Sequence, residues 1–372
     1  MQRIGIVGIG RISGIYLKNL TGMFGNRVKL TAVTDLFEER AKAAAEEKNV
    51  KHIKTTEELV KDPDVDIVLN LTQPQLHHQV SMLALNNGKH VYNEKPLCAL
   101  REEAAEVIKT AKEKNLRVGG APDTFMGPGI QTCRKMIDDG LIGKPVAASA
   151  FMMGHGHESW HPDPNFYYQV GGGPMFDMGP YYLTALVNLL GPIARVSGSA
   201  QMGQKERVIT SEPLKGTIIK VGVPTHIAGV MDFASGAVGV IIQSFDVWSH
   251  SMPFIEIYGT EGTIQVPNPN NFKGDIKVKR YREADWSSIP NLTAEAHNPR
   301  APEDPQANNL RGIGITDMAE AIMENRPHRA SAELANHVLD AMHGFHDASA
   351  SGNYYMMKTV CERPELLDYL KK

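Results

Sequence analysis

Cysteine is scarce in this chain of 372 residues, which has three copies. Cys98, Cys133 and Cys361 lie far apart and form no Cys-x-x-Cys motif. We therefore expect reduced thiols, with neither a disulfide framework nor a metal site. A strand is predicted to begin at Arg3, so we also expect no signal peptide. Both expectations favour a cytoplasmic protein.

The chain also lacks long apolar runs and a strong charge of either sign. No apolar run approaches the ~20 residues that a membrane helix needs. The net charge of −3 gives no electrostatic basis for binding nucleic acid or an anionic membrane. A hydrophobic fraction of 42% with 22% charged residues is ordinary for a globular protein. The length favours two domains, and a small molecule is the expected partner.

A glycine-rich loop follows the first predicted strand, residues 3–7. Its sequence is Gly8-Ile-Gly10-Arg-Ile-Ser13, with serine at the third glycine position of the dinucleotide fingerprint. Gly8 permits a tight turn, and Gly10 lets backbone amides approach a pyrophosphate at the start of the next helix. Because a strand precedes the loop and a helix follows it, the pattern predicts a dinucleotide site.

Asp35 ends the second predicted strand, residues 30–34. A carboxylate at this point accepts hydrogen bonds from a ribose 2′-hydroxyl and repels a 2′-phosphate. The residue therefore favours NAD over NADP. Asp35 could also cap the predicted helix 38–48, and both roles can hold together.

Strands and helices alternate up to Gly119, which predicts a parallel, doubly wound sheet. In the stretch 88–97 a short strand must stop before Pro96, which has no amide to donate. Glu94 and Lys95 then lie at a strand's carboxyl end, where open α/β sheets bind their ligands. A surface ion pair is the alternative. We take Lys95 as the chemical centre of the chain.

The glycine loop, Asp35, the run Thr72-Gln-Pro74-x-x-His77 and the stretch Gly88-Lys-His-Val-Tyr-Asn-Glu-Lys-Pro together resemble the Gfo/Idh/MocA family (glucose–fructose oxidoreductase, inositol dehydrogenase, rhizopine catabolism). The resemblance spans nearly the whole chain. It implies an α/β fold, in which a Rossmann domain precedes a domain with a large open, mostly antiparallel sheet. It also implies nicotinamide-dependent oxidation or reduction of sugars, cyclitols and related polyols.

We predict a Rossmann domain over residues 1–122 and a substrate-binding and oligomerisation domain over 123–372. Strands are predicted at 145–153, 193–200, 218–223 and within 224–258, and together they give one broad sheet. Its second face needs cover, so we expect a homodimer or homotetramer through this face. The helices within 309–350 are expected to pack back on the body. Residues 283–308 form a long loop of open role.

Asp177 and Tyr181 carry the main departure from the family. The resemblance implies a catalytic helix start with aspartate and, four residues later, histidine; here tyrosine stands in that place. A free tyrosine has a pKa of ~10 and is a poor base near neutrality, unless a neighbouring ammonium such as that of Lys95 draws its pKa down. Pro180 should kink or delay the helix. The alternative is that Tyr181 merely packs and hydrogen-bonds the substrate, while His157 or His161 takes the proton.

The region 154–164 is dense in histidine and aromatic residues. Polar contacts with substrate are favoured here over a metal site, because no carboxylate–histidine helix motif supports a metal. The predicted substrate residues are Asp123, His157, Trp160, His161 and Asp163. The predicted cofactor residues are Gly8, Gly10, Arg11, Ile12, Asp35, Thr72, Pro74, His77, Glu94 and Lys95.

The resulting hypothesis is an NAD-dependent sugar or polyol dehydrogenase. Tyr181 would remove a hydroxyl proton as hydride leaves carbon, while Lys95 and Asp177 orient the oxygen. A second hypothesis keeps NAD but cleaves a glycoside through transient oxidation, with no net redox change. A third is a non-catalytic NAD-binding sensor, which the retained Lys95 disfavours.

Overall fold

The structure is a computed structural model that describes residues 1–292 and 309–371. The chain divides into two compact units. Unit 1 comprises residues 1–127 and, after the undescribed stretch, residues 309–339. Unit 2 comprises residues 128–292 and 340–371.

The elements of the described residues are as follows. The strands are β1 (Gln2–Val7), β2 (Val28–Thr34), β3 (Lys51–His52), β4 (Ile67–Asn70), β5 (His90–Asn93), β6 (Val118–Gly120), β7 (Pro145–Met153), β8 (Ile193–Gln201), β9 (Glu206–Val208), β10 (Ile218–Lys220), β11 (His226–Phe233), β12 (Val238–Ser244), β13 (Ile255–Gly259), β14 (Gly262–Val266), β15 (Ile276–Arg280), β16 (Ser287–Ile289) and β17 (Tyr355–Met356). The α-helices are α1 (Ser13–Thr21), α2 (Glu38–Lys48), α3 (Thr56–Leu59), α4 (His77–Asn86), α5 (Arg101–Glu113), α6 (Pro128–Asp138), α7 (Pro174–Asp177), α8 (Gly179–Leu190), α9 (Ile313–Glu324) and α10 (Ala332–Ser351).

Unit 1 is built on a six-stranded sheet in the order β3-β2-β1-β4-β5-β6. Every pairing in it is parallel. The central strand β4 is buried along its whole length, as expected for a parallel sheet covered on both faces. The strand order reverses between β1 and β4, and the crevice at the carboxyl ends of such neighbours is where doubly wound sheets bind ligands. The predicted doubly wound sheet is confirmed.

A returning segment of the chain, 309–339, belongs to unit 1. The Asn19 side chain of α1 donates hydrogen bonds to the carbonyls of Asn309 and Arg311, both at 2.8 Å. Arg27 forms an ion pair with Glu320 of α9. The predicted domain limits, 1–122 and 123–372, placed this segment in the second domain. Those limits stay predictions, and these long-range contacts leave no local pattern in the sequence.

Unit 2 contains a nine-stranded sheet in the order β16-β15-β14-β13-β7-β12-β11-β8-β17. The β12–β7 pair is parallel. The other neighbours pair antiparallel. The predicted large and mostly antiparallel sheet is therefore confirmed, and the predicted strand 145–153 coincides with β7.

Two predictions for this region need correction or lie partly outside the described residues. The predicted strand 218–223 is shorter, ends at Lys220 and does not join the broad sheet. It pairs instead with β9 in a separate two-stranded sheet. This pairing was missed because β9 is short and contains two charged residues. Of the predicted loop 283–308, residues 287–289 form β16, and 293–308 lie outside the described residues.

Helix α8 is buried on all sides, as an apolar helix in the interior of a large domain should be. It is separated from α7 at Met178, and Pro180 lies in its first turn. Proline is well tolerated there because the first amides of a helix have no partner within the helix. The predicted interruption between Asp177 and Tyr181 is confirmed. Among the described residues, no helix is long and apolar enough to cross a membrane.

Candidate active site

The glycine loop lies between β1 and α1, at the point where the strand order of unit 1 reverses. Gly8 has a φ of +98°, and its amide donates to the Thr34 carbonyl at 2.9 Å. A Cβ at Gly8 would lie 2.9 Å from the Leu71 backbone, so only glycine fits this close approach of β1 and β4. A Cβ at Gly10 would meet no atom within 4 Å. The loop is thus tight on its inner side and open on its outer side.

Asp35 follows β2 and turns its carboxylate to two backbone amides. Oδ2 accepts from the Ile9 amide at 2.5 Å, and Oδ1 accepts from the Phe37 amide at 2.7 Å. The first of these bonds ties Asp35 to the glycine loop. Each oxygen keeps a further lone pair, so the oriented carboxylate can still accept from ribose hydroxyls. This fits the predicted role of Asp35.

The residues that the nucleotide fingerprint assigns to NAD therefore fit the cofactor. The open space above Gly10 leaves room for a pyrophosphate near the first turn of α1. Arg11 is exposed and Ile12 half-buried on the same loop. Asp35 would supply the acceptor for the ribose, and Ser13 closes the loop by donating from its hydroxyl to the Gly10 carbonyl at 2.7 Å.

Replacing Asp35 with asparagine is expected to shift the cofactor preference toward NADP. D35N retains one acceptor oxygen but removes the negative charge that repels a 2′-phosphate. We expect the ratio of NADP to NAD affinity to rise about tenfold or more, since a hydrogen bond to a charged group contributes ~1.5–3 kcal/mol. Titration of both cofactors by fluorescence measures the ratio. E38Q, an exposed carboxylate paired with Lys42, is the control, and an equal ratio in D35N and E38Q would contradict the assignment.

The ends of β4 and β5 are joined by a buried polar network. The Asn70 amide donates to Asn93 Oδ1 at 2.9 Å, and the Asn93 amide donates to the Leu97 carbonyl at 3.0 Å. The Thr72 hydroxyl donates to Asn70 Oδ1 at 2.6 Å. These bonds fix the loop after β4 and the Glu-Lys-Pro turn after β5 in one arrangement. Pro74, in turn, begins a short 3₁₀-helix that leads into α4.

His77 is fully buried beside this network. Its Nδ1 lies 2.7 Å from the Pro96 carbonyl and its Nε2 lies 3.1 Å from the Thr72 carbonyl. Burial lowers the pKa of the imidazole. The ring therefore joins the two loops that were predicted to contact NAD. A direct contact of His77 with the cofactor stays a prediction, and both ring nitrogens already contact the backbone.

Glu94 anchors the turn that carries Lys95. Its Oε1 accepts from the Tyr16 hydroxyl of α1 at 2.8 Å, and its Oε2 accepts from the Lys95 amide at 2.9 Å. The Glu94 carboxylate is buried, while Lys95 is half-buried. Glu94 thus fixes the backbone of Lys95. Because the Glu94 carboxylate is buried, it is not part of the surface ion pair that was the alternative. The buried carboxylate also raises the pKa of the Tyr16 phenol, on top of the larger effect of burial.

Asp123 follows β6, and its side chain contacts the start of α9. Its Oδ2 accepts from the amides of Gly312 and Gly314 at 2.9 and 3.0 Å, at the first turn of that helix. Its side chain is buried, and burial raises its pKa from 3.8 to about 6. The contacts give Asp123 a capping role, and its predicted contact with substrate stays a prediction.

Replacing Asp123 with asparagine should change how stability depends on pH. The raised pKa means that the folded chain binds a proton more tightly than the unfolded chain, so stability falls as pH rises from about 4 to about 6. An asparagine oxygen can accept the same two amides without a charge. D123N should therefore match the wild type at pH ~4 and gain about 2–3 kcal/mol relative to it above pH ~6.

Denaturant unfolding at a series of pH values checks this prediction. A constant difference between the two proteins across the series would contradict it. E57Q is the control, because Glu57 is exposed and lies on the same unit.

In unit 2, Asp177 at the end of α7 lies beside His157. His157 Nε2 is 3.3 Å from Asp177 Oδ2, and the two side chains are 12% and 14% exposed. The pair is ionic when the imidazole is protonated. His157 Nδ1 is buried and has no hydrogen-bond partner among the residues that the structure describes. Nε2 is therefore the ring nitrogen that faces Asp177 and can share a proton with its carboxylate.

Aromatic rings surround His157. Its ring stacks on Tyr167 with centroids 3.7 Å apart and an interplanar angle of 13°. Phe245 meets it edge-on at 4.7 Å, and Trp160 lies at 5.2 Å. Trp160 is 53% exposed. The His157 ring therefore lies beside an exposed aromatic residue.

The other predicted residues of this unit lie on the same loop or near Asp177. The His161 ring accepts from the Asp163 amide at 3.1 Å, which forms a turn beyond Trp160. Tyr181 lies in the first turn of α8, 8% exposed. The structure brings Asp177 to His157, which sequence analysis held as an alternative to Tyr181. Among the described residues, no three side chains of His, Cys, Asp or Glu cluster as metal ligands. The expectation of no metal stays a prediction.

Several residues of the two sites were missed from the sequence. They are Tyr16, Asn70 and Asn93 around the nucleotide loops, and Glu158 and Arg207, which pair next to His157. Asn70 and Asn93 had a usable signal, since each is the last residue of an apolar strand that precedes a predicted ligand loop. Tyr16 and Arg207 had none, because their partners are 78 and 49 residues away.

The strand order, the glycine loop and the oriented Asp35 define unit 1 as a dinucleotide-binding α/β unit. Residues 2–120 match the sequence model of the oxidoreductase family with an NAD-binding Rossmann fold. Residues 130–265 match the model of the GFO/IDH/MocA C-terminal domain. The chain therefore belongs to the GFO/IDH/MocA family, and it is an NAD-dependent oxidoreductase. The predicted family, Rossmann fold and cofactor are confirmed.

Similar proteins come from several bacteria. The chain is 28% identical to 1,5-anhydro-D-fructose reductase of Ensifer adhaerens over 272 residues, which cover 71% of this chain and 75% of the relative. It is 26% identical to myo-inositol 2-dehydrogenase of Thermotoga maritima over 269 residues, 72% and 75% of the two chains. The solved structure of an NAD-binding oxidoreductase from Klebsiella pneumoniae matches with a TM-score of 0.83 at 22% identity, over 96% of this chain and 98% of the other.

Proposed function

We propose that this oxidoreductase converts a secondary hydroxyl of a sugar, sugar derivative or cyclitol to a carbonyl, or catalyses the reverse reaction. The observation that carries the proposal is the His157–Asp177 pair beside the exposed Trp160. An imidazole held by a carboxylate is suited to exchange a proton with a hydroxyl group. An exposed aromatic face is suited to the apolar face of a polyhydroxylated ring. The substrate class of the two curated relatives agrees with this chemistry.

His157 and Asp177 would handle the hydroxyl proton. Nε2 takes the proton, and the Asp177 carboxylate stabilises the imidazolium that forms. The stacked Tyr167 ring and the edge of Phe245 hold the imidazole plane, so the proton acceptor is oriented before the substrate binds. Tyr181 is retained as the alternative acceptor.

Lys95 would stabilise the substrate oxygen as negative charge develops on it. Its backbone is fixed by Glu94, so the side chain starts from a defined position at the strand end. An ammonium group in such a place lowers the free energy of an alkoxide-like transition state. The glycine loop and Asp35 would hold NAD, which would supply the hydride acceptor.

A panel assay tests the proposal. The purified chain is incubated with NAD and, in separate reactions, myo-inositol, scyllo-inositol and D-glucose, and with NADH and 1,5-anhydro-D-fructose. We expect NADH to form, or to be consumed, with at least one compound. Absence of redox turnover across the panel and a wider set of sugar acids would contradict the proposal.

We further propose that the chain acts in the cytoplasm as a homodimer or homotetramer. Val238 and Val240, on one face of β12, are each more than 40% exposed, which supports an interface on this face of the sheet. The three buried cysteines form no disulfide, in keeping with a reducing compartment. Light scattering after size exclusion measures the mass in solution. A monomer would contradict the proposed assembly.

A further inference from the structure

The loop that carries His157 rests on its own small apolar cluster in unit 2. The members are Tyr168, Ile209, Ile219, Val221 and Phe245, with Met152 and Tyr167 at the edge. Ile209 directly follows β9 and Ile219 lies in β10. The loop therefore packs on residues of the two-stranded sheet, which is separate from the broad sheet of the same unit.

Arg207 of β9 connects this two-stranded sheet to the loop. It is buried, and its Nη1 donates to Glu158 Oε1 at 3.0 Å. Its Nη2 donates to the Phe245 carbonyl at 3.0 Å and to the Asp246 carboxylate. Glu158 is the residue after His157, and the Phe245 ring packs edge-on against the His157 ring. One guanidinium thus fixes both Glu158, which follows His157 in the chain, and Phe245, whose ring contacts the His157 ring.

Tyr168 makes a second connection, directly to the His157 backbone. Its hydroxyl accepts from the His157 amide at 3.3 Å. Burial raises the pKa of this phenol, and the nearby Glu158 carboxylate raises it further, so the hydroxyl stays neutral. The Arg207 guanidinium lies 5.6 Å from the centre of the Tyr168 ring. A Cβ at Gly156 would lie 2.2 Å from the Tyr168 hydroxyl, which shows how closely the loop fits on this support.

The charges of this cluster favour positioning over stability as its purpose. Glu158 and Arg207 are both buried, and Asp246 receives a further hydrogen bond from the Thr225 hydroxyl at 2.7 Å. Buried ion pairs seldom stabilise a fold more than apolar packing of the same volume, so a positioning role accounts better for this cluster. The geometry fixed here is that of the residues next to His157.

We propose that Arg207 and Tyr168 are positioning residues for His157, which they hold in the orientation that meets Asp177. The proposal rests on the proposed function, because it takes His157 as the proton-exchanging group. It adds that the β9–β10 hairpin is part of the catalytic apparatus, although none of its side chains has to touch the substrate.

Two mild variants test the proposal with a readout that needs no substrate. Y168F removes only the hydroxyl group. R207K keeps the positive charge but loses the planar guanidinium, which donates to the Glu158 and Asp246 carboxylates and to the Phe245 carbonyl. Hydrogen–deuterium exchange of the full chain then follows the amides of residues 155–161. We expect exchange of these amides to accelerate about tenfold or more in both variants, with little change in the strands of either sheet.

Turnover of the best compound from the panel is the second readout. We expect kcat to fall about tenfold to 10²-fold in both variants, since small displacements of a catalytic group have effects of this size. The apparent NAD affinity should stay within about twofold of wild type, because the cofactor residues lie in unit 1. Y258F and R195K are the controls. Tyr258 bonds Ser149 and Glu256, and Arg195 pairs with Asp232, on other parts of unit 2.

The outcomes separate this proposal from the proposed function. Unchanged exchange at 155–161, or unchanged kcat, in both variants would overturn the positioning role even if a His157 variant is inactive. Full activity of H157N would overturn the positioning role together with the function assigned to His157. Faster exchange and lower kcat in Y168F and R207K, with both controls near wild type, supports it.

Discussion

The Lys95→Met variant is expected to bind NAD like the wild type and to turn over its substrate about 10²–10³-fold more slowly, as when a charge-stabilising donor is removed from other active sites. Methionine has nearly the same length but no charge, so the change isolates the ammonium group. Because Glu94 fixes the Lys95 backbone through its own carboxylate, the turn itself should stay intact. The loss should appear in kcat, while the affinity for NAD should change little.

Lys89 provides the control for this prediction, because it lies just before β5 and Lys95 lies just after it. Its ammonium donates to the carbonyls of Asp62 and Val65, at 2.9 and 2.7 Å. K89M should therefore lose some stability through these hydrogen bonds but keep its turnover. Steady-state kinetics and NAD titration of both variants give the comparison. Near-normal turnover by K95M with NAD bound would remove Lys95 from the chemical centre.

The His157→Asn variant is expected to lose about 10²–10⁴-fold in kcat, the usual contribution of a general base. Asp177→Asn should lose a similar amount, because the carboxylate stabilises the imidazolium. The double variant should be little worse than the poorer single variant, since residues that act as one unit show non-additive effects. Y181F decides between Tyr181 and a histidine of the 155–161 loop as the proton acceptor, the choice that the sequence left open.

The control for the histidine series is His226, half-buried on β11 with its Nδ1 2.9 Å from the Ser244 hydroxyl. H226N should retain its turnover within about threefold, as expected for a change away from the reacting atoms. If H157N loses less than about tenfold while Y181F loses about 10²-fold or more, Tyr181 is the proton acceptor and the pair has another role.

Unit 1 was the more predictable of the two units, because its signals are local. Gly8 belongs to a glycine motif of a few consecutive residues, and Pro96 ends a strand through its own missing amide. Such features can be recognised within a few residues of sequence. The capping of α9 by Asp123 was not recognisable, because its partners lie 189 and 191 residues further along the chain.

In unit 2 the local signals gave the elements but not the site. The break between α7 and α8 follows from Pro180 and was predictable. The contact of His157 with Asp177 and the support by Arg207 depend on which strands become neighbours. The short strand β9, residues 206–208, has no strong hydrophobic alternation, so both the strand and its pairing with β10 were missed. Sequence spacing therefore predicted the residue types of the site better than their partners.

The most direct measurement follows a deuterium atom from a substrate that carries it on the carbinol carbon. The panel compound that the chain oxidises fastest is labelled there, and the cofactor and products are analysed by mass spectrometry. The account predicts deuterated NADH in equal amount to a ketone product. Deuterium retained in a cleaved sugar, with no net NADH, would show a glycosidase that oxidises only transiently and would contradict the account.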